Sequence, residues 1–352
     1  MLTFIDDNTL VALIGLGSGI MLGLAARLGR FCTMGAIEDM LYGGSVTRMR
    51  MWVLAIGIAV MGTFALTGAG LMVPEQSFYL SIRWMPLASV LGGLMFGYGM
   101  ALAGNCGYGC IARLGGGDFR AFVIVIVMGV SAYVVLHGPL SYLRNWAFLQ
   151  EDVTTGLAPG LVHLVAQQTG WPLAPIGILA GAVITLGALW SRSFLQDLKS
   201  VFWAAIVGLA IIAGWAGSYW VASTGFTAMP VVSHSFAAPV GESLQYLMTA
   251  SARPLTFAVG SVAGVAVGAF IGSLIKGHFR WEACEDPREL RRQMTGAALM
   301  GAGAVLAMGC TVGQGLSAFS VLSFSAPITF LAIIAGAALG LRQLIEGFQP
   351  AE

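Results

Sequence analysis

The chain of 352 residues carries 17 basic and 16 acidic side chains, for a net charge of +1, and 57% of its residues are hydrophobic. Only 9% are charged, whereas soluble domains carry about 25%. This composition excludes a water-soluble fold, and the small net charge excludes a basic surface for nucleic acid. The lipid bilayer is therefore the expected surrounding of the chain.

A bilayer admits only helices and closed barrels, and long continuous apolar runs favour helices. Nine runs approach the length of about 20 residues that a crossing needs. They are 8–28, 51–72, 86–104, 119–141, 173–190, 200–222, 254–275, 294–309 and 326–345. We predict an all-α polytopic membrane protein of about nine transmembrane helices, forming a single membrane transport domain over residues 1–352.

Two kinds of segment connect the predicted helices. The stretch 276–293 is plainly polar, whereas 103–118 is apolar but broken by several glycines. A segment of the second kind is too hydrophobic for an aqueous loop and too broken for a long helix. Such segments are typical of short re-entrant helices that line a path at membrane depth.

The basic residues indicate how the chain is oriented. Fourteen of the 17 fall after the first, third, fifth or seventh predicted helix, or at the C-terminus, and the exceptions are Arg83, Arg144 and Arg253. Because cytoplasmic loops carry the excess of Lys and Arg, this bias predicts a periplasmic N-terminus and a cytoplasmic C-terminus. We expect a multi-pass protein of the bacterial inner membrane.

Three cysteines stand in C-x-x-G turns, and each turn follows a long apolar run. The sequences are RFCTMG, GNCGYG and MGCTVGQG. The cysteines are Cys32, Cys106 and Cys310, and their glycines are Gly35, Gly109 and Gly313. A single buried cysteine is more often a packing residue than a functional one. Three copies of one turn favour a shared function.

Two of the turns belong to longer matching stretches, 92–109 and 300–315. With the predicted orientation their helices enter from opposite faces, which is typical of an inverted pseudo-repeat, here roughly 8–145 and 173–345. Half-helix ends of such repeats meet near the bilayer midplane. The sixth run ends in VASTGF, without a cysteine, and is a weak counterpart of the Cys32 turn.

The thiol group suits a sulfur-containing anion. A thiol near its usual pKa is mostly protonated, so it donates a hydrogen bond without repelling an anion. Helix N-termini beginning at these turns would add N–H donors. Asn105 and Gln314, beside two of the turns, offer amide groups as further substrate contacts. The four histidines form no ligand cluster, so we expect no metal site and no cofactor.

Other interpretations remain open at this point. The chain could be a membrane thiol or persulfide relay enzyme, with Arg30 or Arg113 lowering a thiol pKa, or a transporter of another sulfur or selenium species. A disulfide or metal pair between Cys106 and Cys110 is less favoured. Cys284, in a charged loop, is interpreted as incidental. The order of the three thiols along a path is undecided.

The three turns, above all GNCGYG and GCTVGQG, resemble those of the YeeE/YedE family of bacterial membrane proteins for sulfur-compound uptake. The resemblance implies a helical fold with short helices dipping to the centre and thiosulfate uptake without enzymatic turnover. It also implies that Cys32, Cys106 and Cys310 contact the passing ion through S–H···S hydrogen bonds. By the same resemblance, a cytoplasmic TusA-like sulfurtransferase is a plausible receiver.

Overall fold

The computed structural model describes residues 6–148, 158–282 and 286–347, and it is helical throughout these ranges apart from turns and isolated bridges. The helices, in chain order, are α1 (Asp7–Leu28), α2 (Thr33–Leu41), α3 (Thr47–Gly68), α4 (Phe78–Ser81), α5 (Pro86–Ala103), α6 (Gly107–Leu114), α7 (Phe119–Leu136), α8 (Leu140–Ala147), α9 (Leu161–Thr169), α10 (Leu173–Leu189), α11 (Arg192–Gln196), α12 (Leu198–Thr224), α13 (Ala237–Thr249), α14 (Phe257–Ile275), α15 (Pro287–Leu306) and α16 (Ser325–Glu346). A 3₁₀ turn spans Pro74–Gln76 and a π-helical segment spans Gly313–Ala318.

A helix stands at each of the nine predicted membrane segments. Seven stretches of the described chain are long and apolar enough to cross a bilayer, and two of them join a long helix to the short one that follows, α1 with α2 and α5 with α6. The chain is thus a multi-pass helical membrane protein. Of the other two long helices, α10 has 17 residues and α15 begins with the charged turns PRELRRQ. The count of nine crossings stays a prediction.

Helix ends follow from local sequence. Asp118 caps α7 by accepting a hydrogen bond from the Arg120 N–H at 3.0 Å, as side-chain oxygens do at helix N-termini. Helix α15 begins at Pro287, well before the predicted start at residue 294, because Pro at the first position and the Asp286 cap initiate it ahead of the apolar run. Helix α5 ends at Gly104, whose φ of +78° suits glycine.

Glycines bring the long helices close together. Helices α1 and α14 run parallel, since Gly15 meets Phe257 and Gly23 meets Ala269. At Gly19, a Cβ would lie 2.6 Å from the Ser261 carbonyl oxygen, so only glycine permits this approach. Small residues spaced four positions apart in α1, namely Gly15, Gly19 and Gly23, therefore allow the two helices to pack closely.

The helix directions place the cysteine turns. Helices α1 and α12 are antiparallel, with Ile14 beside Gly217, and so are α5 and α15, with Gly99 beside Gly296. Helix α16 runs parallel to α5, because Gly97 meets Ile333 and Gly340 meets Ala101. The ends of α1, α5 and α14 line one common cavity, so these helices and α16 end on one side, the C-terminal face. The side on which α1 begins is the N-terminal face.

Candidate functional site

Each of the three cysteines stands immediately before a short helical segment: α2, α6, or residues 311–320, which include the π-helical turn. In every case the sulfur accepts a hydrogen bond from the N–H of the motif glycine. The sulfur–nitrogen distances are 3.5 Å for Cys32 and Gly35, 3.4 Å for Cys106 and Gly109, and 3.5 Å for Cys310 and Gly313. The repeated motif thus encodes one local structure, a sulfur-capped helix start.

The motif glycines also leave room for polar groups. A Cβ at Gly35 would overlap the Arg48 guanidinium, and one at Gly109 would overlap the Asn105 amide oxygen. At Gly313, a Cβ would lie 2.8 Å from the Ser235 hydroxyl and 3.0 Å from that of Tyr79. In all three turns a polar side chain occupies the space above the glycine, so a methyl group there would force that side chain to move.

Asn105 joins the first turn to the second. The Cys32 thiol donates to the Asn105 Oδ1 at 3.2 Å, and the same oxygen accepts the Cys106 N–H at 3.0 Å. Residues 73 positions apart are thereby held side by side. Asn105 therefore lies between the first two thiols, and its contact with a substrate stays a prediction.

The second turn also faces the third. Thr311, directly after Cys310, turns its buried hydroxyl toward the Cys106 sulfur and makes no hydrogen bond of ordinary geometry within the described chain. Cys310 itself accepts the Phe236 N–H at 3.3 Å, and the Ser235 Oγ lies 3.7 Å from its sulfur. Cys106 and Cys310 are both 0% exposed, whereas Cys32 is partly exposed. The three thiols therefore lie near one another, with Asn105 between Cys32 and Cys106 and Thr311 between Cys106 and Cys310, and we call them the thiol cluster.

A basic cavity of about 300 Å³ leads from the C-terminal face to Cys32 and Asn105. We name it the basic vestibule. Its cationic and imidazole side chains are Arg27, Arg30, Arg48, Arg113, Lys276 and His278. Burial, with the nearby charges of Lys199, Arg30 and Arg27, lowers the pKa of Lys276. Such a concentration of positive charge attracts anions toward the first thiol.

A second cavity, of about 560 Å³, opens from the N-terminal face. We name it the apolar vestibule, because aliphatic and aromatic side chains form most of its wall. It reaches Tyr79, Ser235 and Gly309, next to Cys310, and none of the residues that line it is Lys or Arg. The two vestibules thus approach opposite ends of the thiol cluster.

Gln314 is fully buried, and its amide is occupied by internal bonds. The Nε2 group donates to the carbonyl oxygens of Ala307, at 2.8 Å, and Met308, at 3.2 Å. The Oε1 atom accepts the Ser325 hydroxyl at 3.1 Å. The side chain thereby satisfies the carbonyl groups that end α15. A contact with substrate, as predicted from its position in the motif, would require these bonds to break.

Cys110 lies one turn into α6 as a free, buried thiol, and its sulfur is 3.9 Å from the Asn105 carbonyl oxygen. It therefore supports the turn from inside the helix and is not joined to Cys106 by a disulfide. Cys284 lies outside the described residues. In the part of the chain that is described, no three His, Cys, Asp or Glu side chains are grouped to hold a metal ion.

Comparison with known proteins supplies the family. The model of a family described as sulphur transport matches residues 28–339, which include all three cysteine turns. This chain belongs to the sulphur transport family. The resemblance to YeeE/YedE proteins inferred from the turns is thereby confirmed, and the chain is a membrane transport protein.

Individual relatives agree with this assignment. The thiosulfate transporter TsuA of Escherichia coli K12 is 27% identical over 352 aligned residues, which cover 92% of this chain and 91% of that protein. The thiosulfate transporter TsuA of Spirochaeta thermophila is 25% identical over 335 aligned residues, which cover 92% of this chain and 96% of that protein. The probable transporter YedE of E. coli K12 is 28% identical over 95 residues, 27% of this chain and 22% of that protein.

Three polar residues at the cluster were not anticipated from the sequence: Tyr79, Ser235 and Thr311. Ser235 lies in the apolar, proline-broken stretch between α12 and α13, a stretch of the same kind as 103–118. That resemblance in composition was the available signal. The weak counterpart proposed for the Cys32 turn, VASTGF, instead forms the end of α12 and the exposed turn after it.

Proposed function

We propose that this protein takes up thiosulfate, or a closely related sulfur-containing anion, across the bacterial inner membrane and passes it along Cys310, Cys106 and Cys32. The observation that carries the proposal is the thiol cluster between two vestibules that open on opposite faces. Membership of a sulphur transport family and the relatives named for thiosulfate support this choice of substrate.

The thiols suit this task because they combine softness with neutrality. A protonated thiol donates through S–H and, being polarisable, matches the terminal sulfur of thiosulfate. It carries no charge that would repel or trap the anion. Backbone N–H groups at the starts of the short helices can assist without a counterion. Passage needs no covalent bond, so the protein acts as a transporter and not as an enzyme.

The order of the thiols follows from the vestibules. Because basic residues concentrate on the cytoplasmic side of membrane proteins, the basic vestibule and the C-terminal face are assigned to the cytoplasm. The N-terminus is then periplasmic and the C-terminus cytoplasmic. The anion enters through the apolar vestibule, meets Cys310, passes the buried Cys106 and leaves past Cys32. The cysteines therefore act in the reverse of their sequence order.

The same helix directions support nine crossings and an inverted repeat within one transport domain. In this repeat, α1 to α3 correspond to α12 to α14, and α5 to α7 correspond to α15 to α16. The corresponding helices α1 and α12 run antiparallel, and so do α5 and α15. The second repeat then begins at Leu198 and not at residue 173. Helix α10, which packs antiparallel on α3 with Gly177 beside Phe64, belongs to neither repeat.

A soluble acceptor completes the scheme. The cytoplasmic mouth at the basic vestibule presents several cations around a path for anions, and a TusA-like sulfurtransferase docking there would consume the anion on arrival. Removal of the substrate at this mouth would keep net flow inward.

The direct test is uptake of radiolabelled thiosulfate into proteoliposomes containing the purified protein, with protein-free liposomes as background. Uptake above background is expected, and unlabelled thiosulfate should compete with it better than sulfate does. Uptake no greater than background, or equal competition by both anions, would refute the proposed substrate.

The basic vestibule leads to a second expected result. Arg48→Gln should lower the initial uptake rate about fivefold in dilute buffer, because the positive potential of the vestibule draws the anion from Cys106 toward Cys32 at the exit. Raising the salt concentration should shrink the difference, because salt screens that potential. Arg342→Gln is the matched control, since Arg342 lies at the same face but is exposed and paired with Glu346. An equal loss in both variants would contradict a specific role for the vestibule.

A further inference from the structure

The stretch between α12 and α13 holds a hydroxyl group against Cys310, the thiol nearest the apolar vestibule. Ser235 Oγ lies 3.7 Å from Cys310 Sγ, which is its one hydrogen-bond partner within the described residues. The residues on both sides of Ser235 are fixed: the His234 carbonyl accepts the Ser317 hydroxyl at 2.6 Å, and the Phe236 N–H donates to the Cys310 sulfur at 3.3 Å. The backbone thus fixes the position of the Ser235 hydroxyl, and beyond its contact with Cys310 this hydroxyl can still donate or accept a hydrogen bond.

Ser235 occupies the place on one side of the cluster that Cys32 occupies on the other. Cys32 follows α1, precedes the short helix α2 and contacts Asn105 in the turn after α5. Ser235 follows α12, lies just before α13 and contacts Cys310 in the turn after α15. The helix pairs α1/α12 and α5/α15 are both antiparallel. The two residues are therefore counterparts in inverted surroundings, one a thiol and one a hydroxyl.

The surroundings of Ser235 suit the oxygen end of an anion. Ser235 and Tyr79 both line the apolar vestibule, and Gly313 admits both hydroxyls above the third turn. Because the lining contains no Lys or Arg and includes Glu242, neutral donors must carry the recognition of a negative charge there. A hydroxyl is a harder donor than a thiol and pairs best with oxygen.

We propose that Ser235 is a fourth substrate contact, which donates to an oxygen of the incoming anion while Cys310 receives its sulfur. The inference rests on the proposed function and narrows its substrate class to anions with both sulfonate-type oxygens and a terminal sulfur. Species that lack the oxygens, such as hydrosulfide, gain nothing from this contact. Ser235 thus contributes to specificity at the N-terminal face.

Uptake kinetics in proteoliposomes test the contact. Ser235→Ala should raise the KM for thiosulfate about tenfold with little change in maximal rate, since one hydrogen bond to a charged group is lost. Ser235→Cys, which restores only the weaker S–H donor, should recover part of the affinity. The control is Ser233→Ala, a neighbour in the same vestibule whose hydroxyl is bonded to the backbone. A KM for Ser235→Ala within twofold of wild type would overturn the proposal.

A labelling experiment separates this inference from the proposed function. In detergent-solubilised Ser235→Cys protein, an anionic methanethiosulfonate reagent should modify the introduced thiol, and thiosulfate should slow the modification more than chloride of equal ionic strength. Mass spectrometry reports the peptides of residues 32 and 235 separately. Protection of Cys32 without protection of the introduced thiol would refute the role of Ser235 alone. Protection at neither position would count against thiosulfate as the substrate.

Discussion

Cys106→Ser is expected to reduce thiosulfate uptake by about ten- to a hundredfold. Cys106 is fully buried between Asn105 and Thr311, and it is the middle contact of the proposed path. Serine keeps a donor but removes the polarisable sulfur. Because the soft S–H···S contact is lost, the cost should approach that of a lost hydrogen bond to a charged group, about 1.5–3 kcal/mol, and each 1.4 kcal/mol is tenfold. The measurement is the initial rate of radiolabelled uptake in proteoliposomes.

Cys110→Ser is the matched control for this change. Cys110 is also buried and lies in the short helix that Cys106 caps, but within the described residues its sulfur has one hydrogen-bond partner, the Asn105 carbonyl at 3.9 Å. Its variant should transport within about twofold of wild type, because a weak neutral hydrogen bond contributes little. Wild-type rates in Cys106→Ser would show that the thiols are packing residues. A persistent sulfur adduct on Cys106 in the wild-type protein would instead favour a covalent relay enzyme.

The helices could be predicted because their determinants are local. Continuous apolar runs located every long helix to within several residues, and the largest error arose where the polar turns that begin at Pro287 extend α15 beyond its run. The thiol site could be predicted because one motif occurs three times. In each copy the cysteine and the glycine three residues later form the same sulfur-capped helix start.

The remaining contacts of the site depend on tertiary packing. Ser235 meets Cys310 across 75 residues, and nothing in SHSF marks it until α12 and α13 are placed. Gln314 was grouped with the thiols because it follows Gly313, yet packing turns its amide toward the end of α15. Sequence order thus identified the turns, and the fold decided which neighbouring polar groups face them.

Gly109→Ala is expected to reduce uptake at least tenfold while leaving the protein folded. Alanine in a helix usually stabilises by about 0.5–1 kcal/mol relative to glycine. Here the added methyl group would overlap the Asn105 amide oxygen, which accepts both the Cys32 thiol and the Cys106 N–H. Displacing that amide separates the first thiol from the second. The gain in helix propensity should offset much of the lost hydrogen bonding, so the melting temperature should change by only a few degrees.

Gly17→Ala supplies the control, because Gly17 lies in α1 with no atom within 4 Å of a Cβ placed there. It should keep both the wild-type uptake rate and the wild-type melting temperature, or gain slightly in stability. If Gly109→Ala transports as well as Gly17→Ala, the Asn105 bridge is not part of the path. If it loses uptake while remaining folded, the glycine serves to seat the amide that links two thiols. The glycine of the C-x-x-G turn would then have two roles: its N–H bonds to the cysteine sulfur at the helix start, and its missing side chain leaves space for the Asn105 amide.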